Sequence, residues 1–206
     1  AKRRMRRAQR AIEKLGDDSL HARILNNLAV FEIEQGQPLQ AEVFQRRALD
    51  LLRRVGDHQR EWSIWCNLGT MRMDRGDLHE ADDNYNQALS LARGLGHIEA
   101  QALVLSNMGT LYWRLGQRDQ ADGLYTRALV LLRSSGSRRA EGVILAMLGG
   151  LTSDQGIEDQ ALLRLNRAHT ILAELNDPIG PHLVDLAHAF VDLASVRRAH
   201  AEGDLP

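Results

Sequence analysis

The stretch LNNLAVFEIEQGQPLQAEVFQRRALDLL, residues 25–52, contains the pattern that decides the fold. Its Gly36, Ala41 and Ala48 each recur along the chain at intervals of 40 residues. A second glycine series, offset by 20 residues, consists of Gly16, Gly56, Gly96 and Gly136. Self-similarity at such a period is the signature of stacked repeats. The pattern therefore predicts a solenoid, a class of protein that commonly binds partners on its concave face.

Each 40-residue repeat divides into two helices. Nineteen residues lie between Gly16 and Gly36, and after the turn residues about 15 to 17 remain for a helix of about 24 Å. The glycines of both series stand where a helix ends in a left-handed residue, a conformation that costs glycine little. Short connections between amphipathic helices make neighbouring helices antiparallel. We therefore predict an all-α fold, a right-handed superhelical solenoid of antiparallel helix pairs.

A small residue occupies the middle of each first helix, at Ala29, Gly69, Gly109 and Gly149. Glycine inside a helix costs about 0.5–1 kcal/mol relative to alanine, so another interaction must compensate for it. We expect a close approach of the second helix of each pair. The residues predicted to face these small residues are Ala41, Ala81, Ala121 and Ala161.

The residues at the repeating positions resemble those of the tetratricopeptide repeat. The matching residues are Trp65, Leu68, Gly69, Ala81, Tyr85 and Ala88, and then Leu105, Met108, Gly109, Tyr112, Ala121, Tyr125 and Ala128. The usual repeat has about 34 residues, so the longer period here is more similar to the extended repeats of kinesin light chain and of bacterial Rap and MalT-type regulators. The resemblance implies the fold and says little about the ligand.

The repeat register predicts how the chain is divided. We expect residues 1–16 to be the second helix of a truncated preceding repeat, and 177–206 to be a capping helix with a tail. The four repeats between them are 17–56, 57–96, 97–136 and 137–176. Because Ala1 falls inside a repeat, we expect the chain to be a fragment of a longer protein with further repeats or another domain upstream.

Composition favours a soluble helical protein. The 206 residues are 44% apolar and 26% charged, which is enough for a continuous core. Charges interrupt every apolar stretch, so the sequence predicts no membrane span. The one cysteine permits no internal disulfide and suits a reducing compartment. We therefore expect a cytoplasmic location.

The charged residues are distributed unevenly, with a basic N-terminus and an acidic remainder of the chain. Residues 1–10 hold six of the 26 basic side chains and no acidic one, whereas all 27 acidic side chains lie in the rest of the chain. A basic run can bind nucleic acid or a membrane. Here it overlays the repeat, since Arg7 and Ala8 correspond to Arg47 and Ala48. A solvated helix face is therefore favoured over a nucleic-acid site.

The chain lacks the motifs of known catalytic and metal sites. There is no glycine-rich loop followed by Lys-Ser or Lys-Thr, no His-Glu-x-x-His and no pair of cysteines. The eight histidines are scattered. We therefore predict no catalytic residue, no metal, no cofactor and no enzyme activity.

Asn27, Asn67 and Asn107 form the most informative polar series, because they recur at 40 residues in successive first helices. Asparagine is a mediocre helix former, so its periodic use inside a helix indicates a task. Its amide can both donate to and accept from an extended peptide backbone. In kinesin light chain-like repeats asparagines at this position contact cargo peptides, and the resemblance implies the same for these three. Hydrogen bonds between adjacent repeats are the alternative.

The same register places other side chains on the predicted groove. Trp113 is either an anchor for a ligand side chain or a packing residue against the next repeat. The remaining groove residues that we predict to contact a peptide are Arg23, Thr70, Asp74, Thr110 and Arg114.

Three hypotheses for function follow. The first is a scaffold whose concave groove holds an extended peptide or a segment of a partner protein. The second is a sensor arm that contacts other domains of its own full-length chain, within a bacterial ATPase, kinase or transcription regulator. The third is homo-oligomerisation through the N-terminal helix.

Overall fold

The computed structural model describes residues 16–175 and 184–185. Among these residues it contains eight α-helices and no strand, so the all-α class is confirmed. The helices are α1 (Asp18–Glu34), α2 (Pro38–Arg54), α3 (His58–Arg75), α4 (Leu78–Gly94), α5 (Ile98–Arg114), α6 (Arg118–Ser135), α7 (Arg138–Asp154) and α8 (Glu158–Glu174). The chain forms two compact units that divide between Ala100 and Gln101, and each unit is described by itself.

The two predicted end elements, the helix of residues 1–16 and the cap of residues 177–206, lie almost wholly outside the described residues. They therefore stay predictions.

The glycines between the helices adopt the left-handed conformation that the period predicts. All eight have φ between +65° and +86°. At Gly76 the left-handed backbone ends α3, because the N–H of Gly76 donates to the carbonyl oxygen of Met73 and that of Asp77 donates to Arg72. This closes the last turn in the manner of a helix C-terminal motif. Each helix pair can therefore reverse within three residues.

The helices of a pair are antiparallel and approach closely. In α7–α8 a Cβ added at Gly149 would lie 2.6 Å from Leu165, and one added at Gly142 would lie 2.8 Å from Leu172. Because Gly142 precedes Gly149 while Leu172 follows Leu165, the two helices run in opposite directions. The predicted close approach is confirmed.

In the second and third pairs, tyrosine rings of the second helix are the nearest groups to the small positions. A Cβ at Gly69 would lie 2.6 Å from the Tyr85 ring, and one at Gly109 would lie 2.9 Å from the Tyr125 ring. The large residue four positions beyond the predicted alanine therefore fills the space. The predicted alanines lie near the small positions in the other two pairs. Ala29 and Ala41 belong to one core cluster, and the carbonyl oxygen of Ala161 would lie 3.3 Å from a Cβ added at Gly149. The physical reason is volume complementarity, since a missing side chain on one helix admits a ring from the other.

One core cluster of the first unit lies among α1, α2 and α3. It is built from buried aliphatic side chains of all three helices, including Leu25, Leu28, Leu49, Leu52, Ile64 and Leu68. Burial of such side chains contributes about 1.5–3 kcal/mol each. Helix α3 thus packs on the preceding pair, which fixes its position beside α1.

An ion-pair network also joins α2 to α3. The Glu42 carboxylate accepts from Arg72 at 2.6 Å and from Arg75 at 2.8 Å. Burial alone would raise the pKa of Glu42, but the hydrogen bond from Arg46 and the charges of Arg72, Arg46 and Arg75 hold it below its ordinary value. The carboxylate is therefore charged at neutral pH and fixes α3 against α2.

Candidate functional site

One stripe on each first helix is at least partly open to solvent. The stripe positions are spaced by four, three and four residues, which places them on one helix face. We call this face the first-helix stripe. In the first unit it consists of Arg23, Asn27, Val30 and Glu34 on α1 and of Ser63, Asn67, Thr70 and Asp74 on α3. In the second unit it consists of Leu103, Asn107, Thr110 and Arg114 on α5 and of Val143, Met147, Gly150 and Asp154 on α7.

The stripe contains most of the residues that the sequence predicts for the groove. Arg23, Asp74 and Arg114 are exposed on it, and Asn107 is half-buried. Each stripe spans eleven residue steps, which correspond to about 16 Å along a helix. Within each unit the predicted residues therefore lie on helix stripes long enough for an extended segment. Contact with a peptide stays a prediction for all of them.

The asparagine series contains a hydrogen bond between adjacent first helices. Asn67 Nδ2 donates to Oδ1 of Asn26, not of Asn27, at 2.9 Å. Asn26 Oδ1 also accepts from Gln45 Nε2 of α2 at 3.0 Å. Asn27 itself is exposed. The structural interpretation thus holds for one N–H of Asn67, while Asn26 Nδ2 and Asn67 Oδ1 have no hydrogen-bond partner among the described residues.

Thr70 and Thr110 hold the buried tyrosines of their own pairs. Thr70 Oγ1 donates to the carbonyl oxygen of Cys66 and lies 3.1 Å from the hydroxyl of Tyr85. Thr110 has the same relation to Tyr125, at 2.8 Å. Burial raises the pKa of Tyr125, although the hydrogen bond with Thr110 acts in the opposite direction. The phenol is therefore neutral and can donate to the threonine, which gives these stripe residues a structural task beside any ligand contact.

Trp113 packs against the next first helix within the second unit. Its Nε1 donates to Asp154 Oδ2 at 2.7 Å. A Cβ added at Gly150 would lie 3.1 Å from the ring, so the absence of a side chain there gives the ring room. The ring remains half-buried. The packing alternative is therefore present in the structure, and the exposed part of the ring leaves the anchor role as a prediction.

A second polar contact joins α1 to the start of α3. Ser19 Oγ donates to Asp57 Oδ2 at 2.7 Å, and Arg60 pairs with the same carboxylate. Burial alone would raise the pKa of Asp57, but the hydrogen bonds from Ser19 and Arg60 and the charge of Arg60 hold it below its ordinary value. The spacing of α1 and α3, and so of their stripes, is thus fixed near both helix N-termini.

A metal site and a membrane-spanning helix are both absent from the described residues. In residues 16–175 and 184–185 no group of three or more His, Cys, Asp or Glu side chains could hold a metal ion. None of the helices in that part of the chain is long and apolar enough to cross a membrane.

The repeat geometry agrees with a family comparison. The family model of the tetratricopeptide repeat matches residues 20–94 and 62–134, which together exceed half of the chain. The chain belongs to the tetratricopeptide repeat family. The resemblance seen in the sequence is thus confirmed. None of the curated proteins compared with the chain matches it.

Solved structures with the same fold include proteins of different functions. A Rap protein complexed with Competence and Sporulation Factor has a TM-score of 0.78 at 17% identity, over 93% of this chain and 58% of that one. A signal transduction ATPase with a tetratricopeptide repeat sensor from Pyrococcus horikoshii has a TM-score of 0.73 at 17% identity, over 87% and 28%. Kinesin light chain repeats from Podosopora anserina have a TM-score of 0.66 at 15% identity, over 88% and 90%. These identities establish the fold alone.

Sequence reasoning missed Asp154 on the stripe, Asn26 at its edge, and the buried Gln45 that donates to Asn26. A period identifies equivalent positions, whereas contacts between successive repeats join positions that are not equivalent, as Asn67 and Asn26 show. The signal for Gln45 was present in the sequence. It stands where the other pairs have Tyr85, Tyr125 and Leu165.

Proposed function

We propose that the chain is a non-catalytic scaffold that binds an extended peptide or a segment of a partner protein along its first-helix stripes. The observation that carries the proposal is the accessible polar stripe of α1 and α3. On this surface Asn26 and Asn67 bond to each other and still have amide groups that no described residue occupies. An extended peptide has unpaired N–H and C=O groups that suit such amides.

The two units differ in the character of their stripes. In the first unit the stripe is mainly polar, with Val30 as its one exposed aliphatic residue, at 44%. In the second unit Leu103 is 49% exposed, and Val143, Met147 and Trp113 are half-buried. Tryptophan is enriched among the residues that contribute most binding energy in protein interfaces, and burial of the aliphatic side chains is favourable as well. A ligand of the second unit should therefore present apolar side chains.

The experiment is a selection of peptides from a displayed library of random sequences on the purified chain. The affinity of a selected peptide is then measured for wild type, for Asn67→Ala with Asn107→Ala, and for the matched control Asp50→Ala on the exposed face of α2. We expect the asparagine variant to bind about tenfold more weakly, or about 1.4 kcal/mol, with a nearly unchanged melting curve. Equal weakening by the control, or collapse of the fold in the asparagine variant, would overturn the proposal.

A second proposal is a sensor arm within a larger signalling protein. It is supported by the fold shared with the repeat sensor of the signal transduction ATPase, of which this chain spans 28%. On this proposal the stripes contact other domains of the full-length chain. It predicts that a neighbouring domain, supplied separately, competes with a selected peptide for the stripe. Binding of that domain without competition would exclude it.

A further inference from the structure

Gln45 is a buried amide whose presence packing does not explain. Its side chain is 0% exposed, and its Oε1 has no hydrogen-bond partner among the described residues. An unpaired buried acceptor lowers stability. The equivalent residues Tyr85, Tyr125 and Leu165 fill the same position without such a group. A large apolar residue would thus serve packing better, and the amide has another task.

That task is visible in what Gln45 contacts. Its Nε2 donates to Asn26 Oδ1, which also accepts from Asn67 Nδ2. Because both donors approach the same oxygen, Asn26 is held in one orientation. Its own Nδ2 then has no partner among the described residues, and the same is true of Asn67 Oδ1. The two amides that this bond joins therefore carry a donor, Asn26 Nδ2, and an acceptor, Asn67 Oδ1, that no described residue occupies, at the half-buried edge of the first-helix stripe.

We propose that Asn26 and Asn67 form a binding site for a carboxamide, the side chain of an asparagine or glutamine in the bound peptide, and that Gln45 is its positioning residue. The ligand oxygen accepts from Asn26 Nδ2, and the ligand N–H donates to Asn67 Oδ1. This inference rests on the proposed peptide-binding function and names the side chain that the first unit selects.

Geometry favours a side-chain carboxamide over the peptide backbone. A trans peptide group points its N–H and C=O in opposite directions, so it cannot face two neighbouring amides at once. A primary carboxamide has an N–H and the oxygen on the same edge. A carboxylate has no donor for Asn67 Oδ1, and an ammonium group has no acceptor for Asn26 Nδ2. If the oxygen and nitrogen of the Asn26, Gln45 and Asn67 amides were all exchanged, the unoccupied donor and acceptor would exchange places. A carboxamide could still bind, because it contains both a donor and an acceptor.

The test uses the displayed library of random peptides. We expect peptides selected on the wild-type chain to share an asparagine or glutamine at one position. Replacing that residue by aspartate or glutamate should weaken binding about tenfold for wild type, and much less for Asn26→Ala. A triple variant, Ala29→Gly with Val30→Thr and Gln45→Tyr, installs the arrangement of the second pair in the first. It should still bind peptides but lose the preference.

A separate readout distinguishes positioning from a merely structural role. Gln45→Leu places in the first pair the residue that the fourth pair has at Leu165. Since the substitution removes an unpaired buried acceptor, we expect it to melt at or above the wild-type temperature while losing the carboxamide preference. A clear loss of thermal stability together with a retained preference would overturn the positioning role.

The outcomes separate the two proposals. Peptides that depend on Asn67 but show no preference for asparagine or glutamine would overturn the carboxamide site and leave the scaffold function standing. A preference that persists in Asn26→Ala would also overturn the site. A library that yields no stripe-dependent binder would overturn the scaffold function, and with it this inference.

Discussion

The first and second helix pairs, α1–α2 and α3–α4, place different chemistry at the same backbone positions. In the second pair Gly69 admits the Tyr85 ring, whose hydroxyl is bonded to Thr70. In the first pair the equivalent residues are Ala29, Gln45 and Val30, and the buried group is an amide directed at the stripe. The difference teaches that the fold requires a filled position between the helices, not a particular residue there. A pair without the tyrosine can carry a buried polar group next to the first-helix stripe.

The largest expected effect is the loss of the second-pair tyrosine. Tyr85→Ala leaves a cavity between α3 and α4, where the ring is fully buried, and should lower the free energy of unfolding by about 3–5 kcal/mol. Gln45→Ala at the equivalent position should lower the free energy of unfolding by only about 1–2 kcal/mol. The loss is smaller because the substitution also removes an unpaired buried acceptor, which is favourable. Urea unfolding of both variants measures the difference. Equal losses would show that Gln45 is as much a packing residue as Tyr85.

A smaller effect is expected from filling the space that the ring occupies. Gly69→Ala places a Cβ 2.6 Å from Tyr85 and should lower the free energy of unfolding by about 1–3 kcal/mol. Gly94→Ala is the matched control, since that helical glycine has no atom within 4 Å of an added Cβ. The control should stabilise by about 0.5–1 kcal/mol. If Gly69→Ala and Gly94→Ala change the free energy of unfolding in the same direction, the close contact at Gly69 does not determine the stability of the pair.

The hydrogen bond between the Thr70 and Tyr85 hydroxyls should contribute less to the free energy of unfolding than the close packing at Gly69. Thr70→Val gives α3 a β-branched side chain of similar size, like Val30 of α1, and removes the threonine hydroxyl that lies 3.1 Å from that of Tyr85. We expect a loss of about 0.5–1.5 kcal/mol. In a double-mutant cycle, Thr70→Val should lower the free energy of unfolding much less in a Tyr85→Phe background than in the wild type. Full additivity of the two substitutions would mean that the hydroxyls do not interact.

The smallest effect concerns the ion pairs that join the two pairs of helices. The pKa of Glu42 is lowered in the folded chain, so its contribution to stability is complete above the ordinary carboxyl pKa and is lost as pH falls through the lower folded value. The difference in unfolding free energy between wild type and Glu42→Gln should therefore be constant near neutral pH and shrink in the acid range. Urea unfolding at a series of pH values measures it. A pH-independent difference contradicts the assignment.

The sequence predicted the repeating parts of this molecule well. Helix pairs, left-handed glycines and the closeness at Gly69 and Gly109 follow from spacing and from the cost of glycine in a helix. What spacing could not supply is the partner of each side chain. Trp113 reaches Asp154, and Asn67 reaches Asn26, in both cases between non-equivalent positions. Such contacts depend on how far one first helix is displaced along its axis relative to the next. The spacing of residues within one helix gives no information about this displacement.

Photo-crosslinking tests most directly whether the ligand lies on the first-helix stripe. A photoreactive phenylalanine analogue is placed either at Arg23 on the stripe of α1 or at Asp50 on the exposed face of α2, and each variant is irradiated with a selected peptide. Our account predicts crosslinks from position 23 and none from position 50. Crosslinks from position 50 alone would contradict it, because the peptide would then lie on the second helices.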